Sequence, residues 1–147
     1  TIAHSITLSL AALGFVGLPG PPVEAVIALS IVFLAVELIH YYKGENTLTA
    51  KYPWVVAFAF GLLHGFGFAG ALANIGLPQT SIPSALLFFN VGVEIGQIAF
   101  ILGVFGFIWL VKKSKFNFLE WLKLVPSYCI GGIASYWLID RVIGFWM

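Results

Sequence analysis

The chain has 147 residues, of which 61% are hydrophobic and only 9% are charged, and its formal net charge at pH 7 is +1. An average soluble domain carries about 25% charged residues, so this composition excludes a water-facing surface over most of the molecule and indicates a protein embedded in lipid. The near-neutral charge argues against a nucleic-acid partner, and the single cysteine, Cys129, excludes an internal disulfide framework and a CxxC metal site. We expect one all-α transmembrane helix bundle over residues 1–147, with the lipid bilayer as its main partner.

Five hydrophobic segments approach the roughly 20 apolar residues that a membrane-spanning helix needs. The first reaches to about Leu18 and is ended by the proline-rich residues 19–22. The others run from about 23 to 42, from 53 to 75, from 83 to 111, and within 119 to 146. The chain starts inside an apolar stretch without an initiator methionine. We therefore expect about five visible spans and one more helix upstream.

The basic residues are distributed unevenly between the predicted connections. Six of the seven lie in the connections 43–52 and 112–123, whereas Arg141 lies at the opposite end. Because the cytoplasmic loops of membrane proteins are enriched in Lys and Arg, we expect both connections on the cytoplasmic side of the membrane. Asp140 next to Arg141 predicts a local ion pair or an interfacial anchor.

The third span carries a histidine at depth. An ionisable side chain within a spanning helix is costly and indicates a functional site. His64 lies about eleven residues after Pro53, which is roughly 16 Å along the helix and close to the midplane of a core about 30 Å thick. Gly61 and Gly67 fall on the same face and leave room beside the imidazole. The pattern predicts either a helix-packing groove or a functional histidine.

The fourth span carries a polar stripe. Asn90, Glu94 and Gln97 are spaced i, i+4 and i+7, so they share one face of a helix. Glu94 lies about eleven residues after Pro83, and its depth matches that of His64 on an antiparallel neighbour. Because polar groups on a lipid-embedded helix must face protein or water, we expect either a functional site shared with His64 or a hydrogen-bond network between helices.

Three further ionisable residues are candidates with a weaker basis. His4 shares a face with Thr7 and reaches mid-depth if its helix begins upstream. Glu24 lies at a helix start, where the helix dipole favours a carboxylate, and Glu37 lies near the cytoplasmic end, where it is a site residue or an interfacial group. Imidazole and carboxylate together suit Ni²⁺ or Co²⁺, and a lone cysteine disfavours Cu⁺. The same residues would also suit a proton relay.

Four strings stand out along the chain: AHSITL at 3–8, VEAVIALS at 23–30, FGLLHGFGFAG at 60–70 and FNVGVEIGQ at 89–97. In this order and spacing they resemble the HupE/UreJ family of hydrogenase and urease accessory proteins, and the resemblance covers nearly the whole chain. That family is described as membrane proteins that supply nickel, acting as permeases. The resemblance implies Ni²⁺ or Co²⁺ as a transported ion with no tightly bound cofactor. It implies a polar site of His4, His64, Asn90 and Glu94, with Glu24 and Glu37 second.

The chain departs from the family pattern at one point. Family members usually carry an upstream helix with a histidine and a Gly-x-Asp-His string, which this sequence does not contain. We expect that string before Thr1; otherwise part of the metal site is lacking.

Two functions remain open from the sequence. The favoured one is a divalent-metal permease or metal-supply accessory protein with a midplane His/Glu site. The alternative is a structural or accessory subunit of a larger membrane complex, with other subunits or a second copy as partners. A third, less favoured function is an intramembrane metalloenzyme, but no nucleophile motif such as GxSxG supports hydrolysis, so we do not expect an enzyme.

Overall fold

The computed structural model describes residues 1–74, 79–113 and 123–145. Over these residues the chain forms six α-helices and one short 3₁₀ turn, without a β-strand. The bounds are α1 Ile2–Ala12, α2 Gly20–Tyr42, α3 Leu48–Lys51, α4 Pro53–Asn74, the 3₁₀ turn Gln79–Ser81, α5 Ile82–Lys113 and α6 Val125–Ile143. The prediction of an all-α fold is confirmed.

Proline and glycine set the boundary between the first two helices. Pro21 and Pro22 lie in the first turn of α2, where the missing backbone N–H would have no helical partner in any case. α1 ends at Ala12 because Gly14 adopts a φ of +80°, the left-handed conformation that ends many helices. The predicted end at Leu18 is therefore wrong. That prediction rested on hydrophobicity, which continues beyond Ala12 into residues that lie outside the helix.

Among the residues that the structure describes, three helices are long and apolar enough to cross a membrane: α2, the Pro53–Gly70 part of α4 and the Ile82–Val111 part of α5. α1 is apolar but has only 11 residues, and α6 has 19 residues and carries Asp140 and Arg141 near its end. The chain is therefore a multi-helix membrane protein. Membrane crossing by α1 and α6 stays a prediction, as does the orientation of the chain.

The main contacts between helices follow the order α6, α2, α4, α1, α5. α2 and α6 are antiparallel, because Ala35 of α2 meets Gly131 of α6 while Glu24 at the start of α2 meets Arg141 at the end of α6. Small side chains allow this close packing. The order of the helix contacts places α1 between α4 and α5, away from α6.

Leu8 is the centre of the contact among α1, α4 and α5. Its side chain has no exposed surface, and it packs against Ala69 of α4 and against Ile82 and Leu86 of α5. Ala3, nearer the start of α1, lies beside Gly61 of α4, so α1 and α4 run in parallel. The short α1 is thereby held between the two long helices that carry the predicted site residues.

Candidate functional site

His4 extends from α1 into the contact among α1, α4 and α5, and only 8% of the residue is exposed. Its ring meets Phe68 edge-on at a centroid distance of 5.2 Å and stacks on Phe89 at 6.3 Å. The Nε2 atom is buried and has no hydrogen-bond partner among the described residues. A buried polar atom without a partner costs free energy. A ligand bound to this nitrogen would remove that cost.

His64 lies on the neighbouring helix α4 and is half-buried. Its Nδ1 is 2.7 Å from the carbonyl oxygen of Phe60. A carbonyl oxygen only accepts, so Nδ1 carries the hydrogen and Nε2 keeps the lone pair. Metal-binding histidines are commonly oriented in this way by a hydrogen bond from the other ring nitrogen.

A close approach of two helix backbones brings these histidines to one level. A Cβ atom on Gly61 would lie 3.0 Å from the Cβ of Ala3, and a Cβ on Gly65 would overlap the Thr7 hydroxyl and approach the His4 carbonyl. Thr7 Oγ1 lies 2.8 Å from the carbonyl of Leu62 and donates to it across the interface. The site therefore needs glycine at position 65.

Sequence reasoning missed Gly65 as the position of closest approach. Gly67, which it placed on the His64 face, instead meets Ile27 of α2. The available signal was the spacing of Gly61 and Gly65, since small residues four apart commonly mark the contact face of a membrane helix.

Asn90 joins α5 to α1. Ser5 Oγ donates to Asn90 Oδ1 at 2.6 Å, and Asn90 Nδ2 donates to the carbonyl of Leu86 at 2.8 Å. The next residue back, Phe89, is the one that stacks on His4. Asn90 therefore makes an interhelical hydrogen bond of the kind considered from the sequence, and it fixes the part of α5 that covers His4.

Glu94 and Gln97 continue the stripe of Asn90, but both are exposed. None of the described contacts joins Glu94 to His64, and within residues 1–74, 79–113 and 123–145 no three His, Cys, Asp or Glu side chains form a cluster that could hold a metal ion. The structure thus joins Asn90 to the helix that carries His4 and packs that helix against the helix of His64, whereas among the described residues no contact joins Glu94 to any of the three. Glu94 as a metal ligand stays a prediction.

The remaining acidic candidates lie at opposite ends of α2. Glu24 Oε2 is 3.0 Å from Arg141 Nε, which gives Arg141 an interhelical partner in place of the local pair with Asp140 considered from the sequence. Glu37 Oε2 accepts a hydrogen bond from the backbone N–H of Thr49 at 2.6 Å and so caps α3. Both carboxylates lie apart from the two histidines. Metal binding by either one stays a prediction.

The family indicated by the sequence motifs is also the one that matches the chain. A family model described as HupE / UreJ protein matches residues 1–141. No curated protein and no solved structure matches the chain significantly. The matched region spans α1 to α5 and nearly all of α6, and it contains every predicted site residue. The chain belongs to the HupE/UreJ family of membrane proteins.

Proposed function

We propose that this protein carries Ni²⁺ or Co²⁺ across the bacterial cytoplasmic membrane, with His4 and His64 as transient ligands. The observation that carries the proposal is the buried Nε2 of His4, which has no hydrogen-bond partner among the described residues. It lies on the helix packed against α4, where His64 has its own Nε2 left free by the hydrogen bond to Phe60. Two neutral imidazoles are donors that first-row divalent cations accept well.

The number of ligands suits transport better than storage. Sites that hold a structural metal commonly use four protein ligands, whereas His4 and His64 provide two. A cation held by two imidazoles keeps positions for water or for a passing carboxylate, and it dissociates readily. Glu94 lies one turn beyond Asn90 on the same face of α5, and its negative charge would offset the charge of a cation that leaves the histidines.

The distribution of charge supports a direction of transport. The two connections that carry Lys43, Lys51, Lys112, Lys113, Lys115 and Lys123 would face the cytoplasm. The cation would then enter at the end that carries Glu24 and leave at the lysine-bearing end. The sequence has no P-loop motif for ATP binding, so the ion gradient, the membrane potential or a partner protein would drive the movement.

The test is nickel uptake by cells that express the full-length protein. We expect His4→Gln, His64→Gln and Glu94→Gln each to lower uptake about tenfold or more, because each removes a group on the route of a dehydrated cation; a loss of 1.4 kcal/mol already corresponds to tenfold. The chain has one further histidine, His40, in the last turn of α2. Its Nδ1 lies 2.6 Å from Oε2 of Glu45. His40→Gln is the matched control and should keep the original uptake. Original uptake in both His4→Gln and His64→Gln, at equal protein level, would contradict the proposal.

A second candidate function, a structural subunit of a larger membrane complex, is favoured by the surface of α5. From residue 91 to residue 110 of α5, every residue except Val93 is exposed. A partner helix would cover this surface and the exposed Glu94. This function predicts that a defined membrane protein co-purifies at constant ratio, and that His64→Gln changes neither that ratio nor the metal content of the cell.

A further inference from the structure

A cavity of about 460 Å³ lies between the end of α1, the connection to α2, the start of α2 and residues 66–70 of α4. Its lining residues on α2 lie at the end of that helix opposite the lysine-bearing connection 43–52. Its wall is formed largely by small residues, including Gly17, Gly20 and Gly67, and Glu24 is the one ionisable side chain among the described residues that line it. A single carboxylate in a small-residue cavity is a place where a cation can keep part of its water shell.

One hydrophobic layer separates this cavity from His4. Ala11 and Ala69 line the cavity and also pack around the fully buried Leu8. His4 lies one turn before Leu8 on α1, so Ala11 and His4 are about 10 Å apart along the helix axis. The cavity, which we call the vestibule, therefore lies about two helical turns along α1 from His4, and the buried Leu8 lies between Ala11 and His4 on that helix.

Arg141 forms an ion pair with Glu24 at the edge of the vestibule. The Nε–Oε2 distance is 3.0 Å, and the side chains of Arg141 and Glu24 are 49% and 48% exposed. An ion pair that is half in water is weak. Because the attraction to a carboxylate grows with the charge of the cation, a divalent cation competes with the singly charged guanidinium better than a monovalent cation does. Arg141 is also the only basic residue outside the connections 43–52 and 112–123.

We propose that Glu24 captures incoming divalent cations in this vestibule and that Arg141 is the built-in competitor that disfavours monovalent ions. Without a divalent cation, Arg141 neutralises Glu24. The arriving cation displaces the guanidinium, which turns to water, and binds the Glu24 carboxylate before it passes Leu8. The direction of entry rests on the proposed transport function, whereas capture by Glu24 does not depend on His4 or His64.

The experiment uses protection of a cysteine in the vestibule of the full-length protein. In a Cys129→Ser background, Gly17→Cys places one thiol on the cavity wall, where a Cβ meets no atom within 4 Å. A membrane-impermeant maleimide is applied to intact cells with and without Ni²⁺. We expect the thiol to be labelled from outside and Ni²⁺ to slow the labelling. Glu24→Gln should abolish this protection, which also controls for nickel bound by the thiol itself.

Arg141 is tested in the same assay. Arg141→Gln should lower the Ni²⁺ concentration for half-protection about threefold, the size expected for the loss of a half-exposed ion pair, whereas Arg141→Lys should retain the original value. Equal protection with and without Glu24, an unchanged concentration in Arg141→Gln, or labelling only after cell lysis would overturn the proposal. Since labelling does not measure uptake, protection without uptake would refute only the transport function, and uptake without protection would refute only the vestibule.

Discussion

Residues 82–90 and residues 91–110 of α5 lie in contrasting surroundings. In the first part, Ile82 and Leu86 are buried against Leu8 of α1, and Asn90 is hydrogen-bonded to Ser5. In the second part, almost every residue is exposed, including Glu94. Polar residues on one stripe of a helix therefore do not share one environment. Their partners depend on how far the neighbouring helix extends beside them.

Glu94 lies in the exposed part of α5. A carboxylate at the depth of a bilayer core is costly unless protein or water surrounds it. The described residues supply no such protein surface beside Glu94. We therefore expect further protein, from a segment outside the described residues, from another subunit or from a second copy, to lie against residues 91–110 of α5 in the membrane.

The largest effect that separates the two regions should come from glycine substitutions. Gly65→Leu forces a side chain into the Thr7 hydroxyl and the backbone of α1, so we expect it to destabilise the protein by about 3 kcal/mol or more. A Cβ on Gly92, in the exposed part of α5, would meet no atom within 4 Å, and Gly92→Leu should change stability by less than about 0.5 kcal/mol. Unfolding in detergent micelles measures both. Equal losses would mean that a neighbour also packs tightly against Gly92.

A smaller effect should distinguish two residues of the polar stripe. Asn90→Leu removes the 2.6 Å hydrogen bond from Ser5, and we expect a loss of about 1 kcal/mol, typical of a hydrogen bond between membrane helices. Gln97→Leu, on the same stripe but exposed, should be neutral in the same unfolding measurement. If Gln97→Leu lowers stability as much as Asn90→Leu does, residues 91–110 of α5 are already covered by protein.

Much of the helical organisation could be predicted from the sequence because hydrophobic length and prolines are local signals. Pro53 begins α4 as expected, and α2 ends at Tyr42 as expected. The end of α1 was predicted too late, because hydrophobicity continues through Phe15 and Val16 while the φ of Gly14 has already ended the helix. The short helix α3 was missed, since it depends on caps from Thr47 and the distant Glu37.

The positions of the candidate site residues on their helices could be predicted from the sequence, but their contacts could not. The place of His64 along α4 follows from counting residues after Pro53, and the stripe of Asn90 follows from helical periodicity. The pairing of Glu24 with Arg141 joins residues far apart in the chain, and it requires knowing that α2 packs against α6. No local pattern indicates that packing, and none indicates which part of α5 is covered by α1.

The most direct test of His4 and His64 as ligands is nickel X-ray absorption on the purified full-length protein loaded with Ni²⁺. We predict that the spectrum contains the scattering of two imidazole rings in the original protein, of one ring in His4→Gln and in His64→Gln, and of two rings in His40→Gln. A spectrum without imidazole scattering, or one that is unchanged by loss of His4 and of His64, would contradict the assignment of these two histidines.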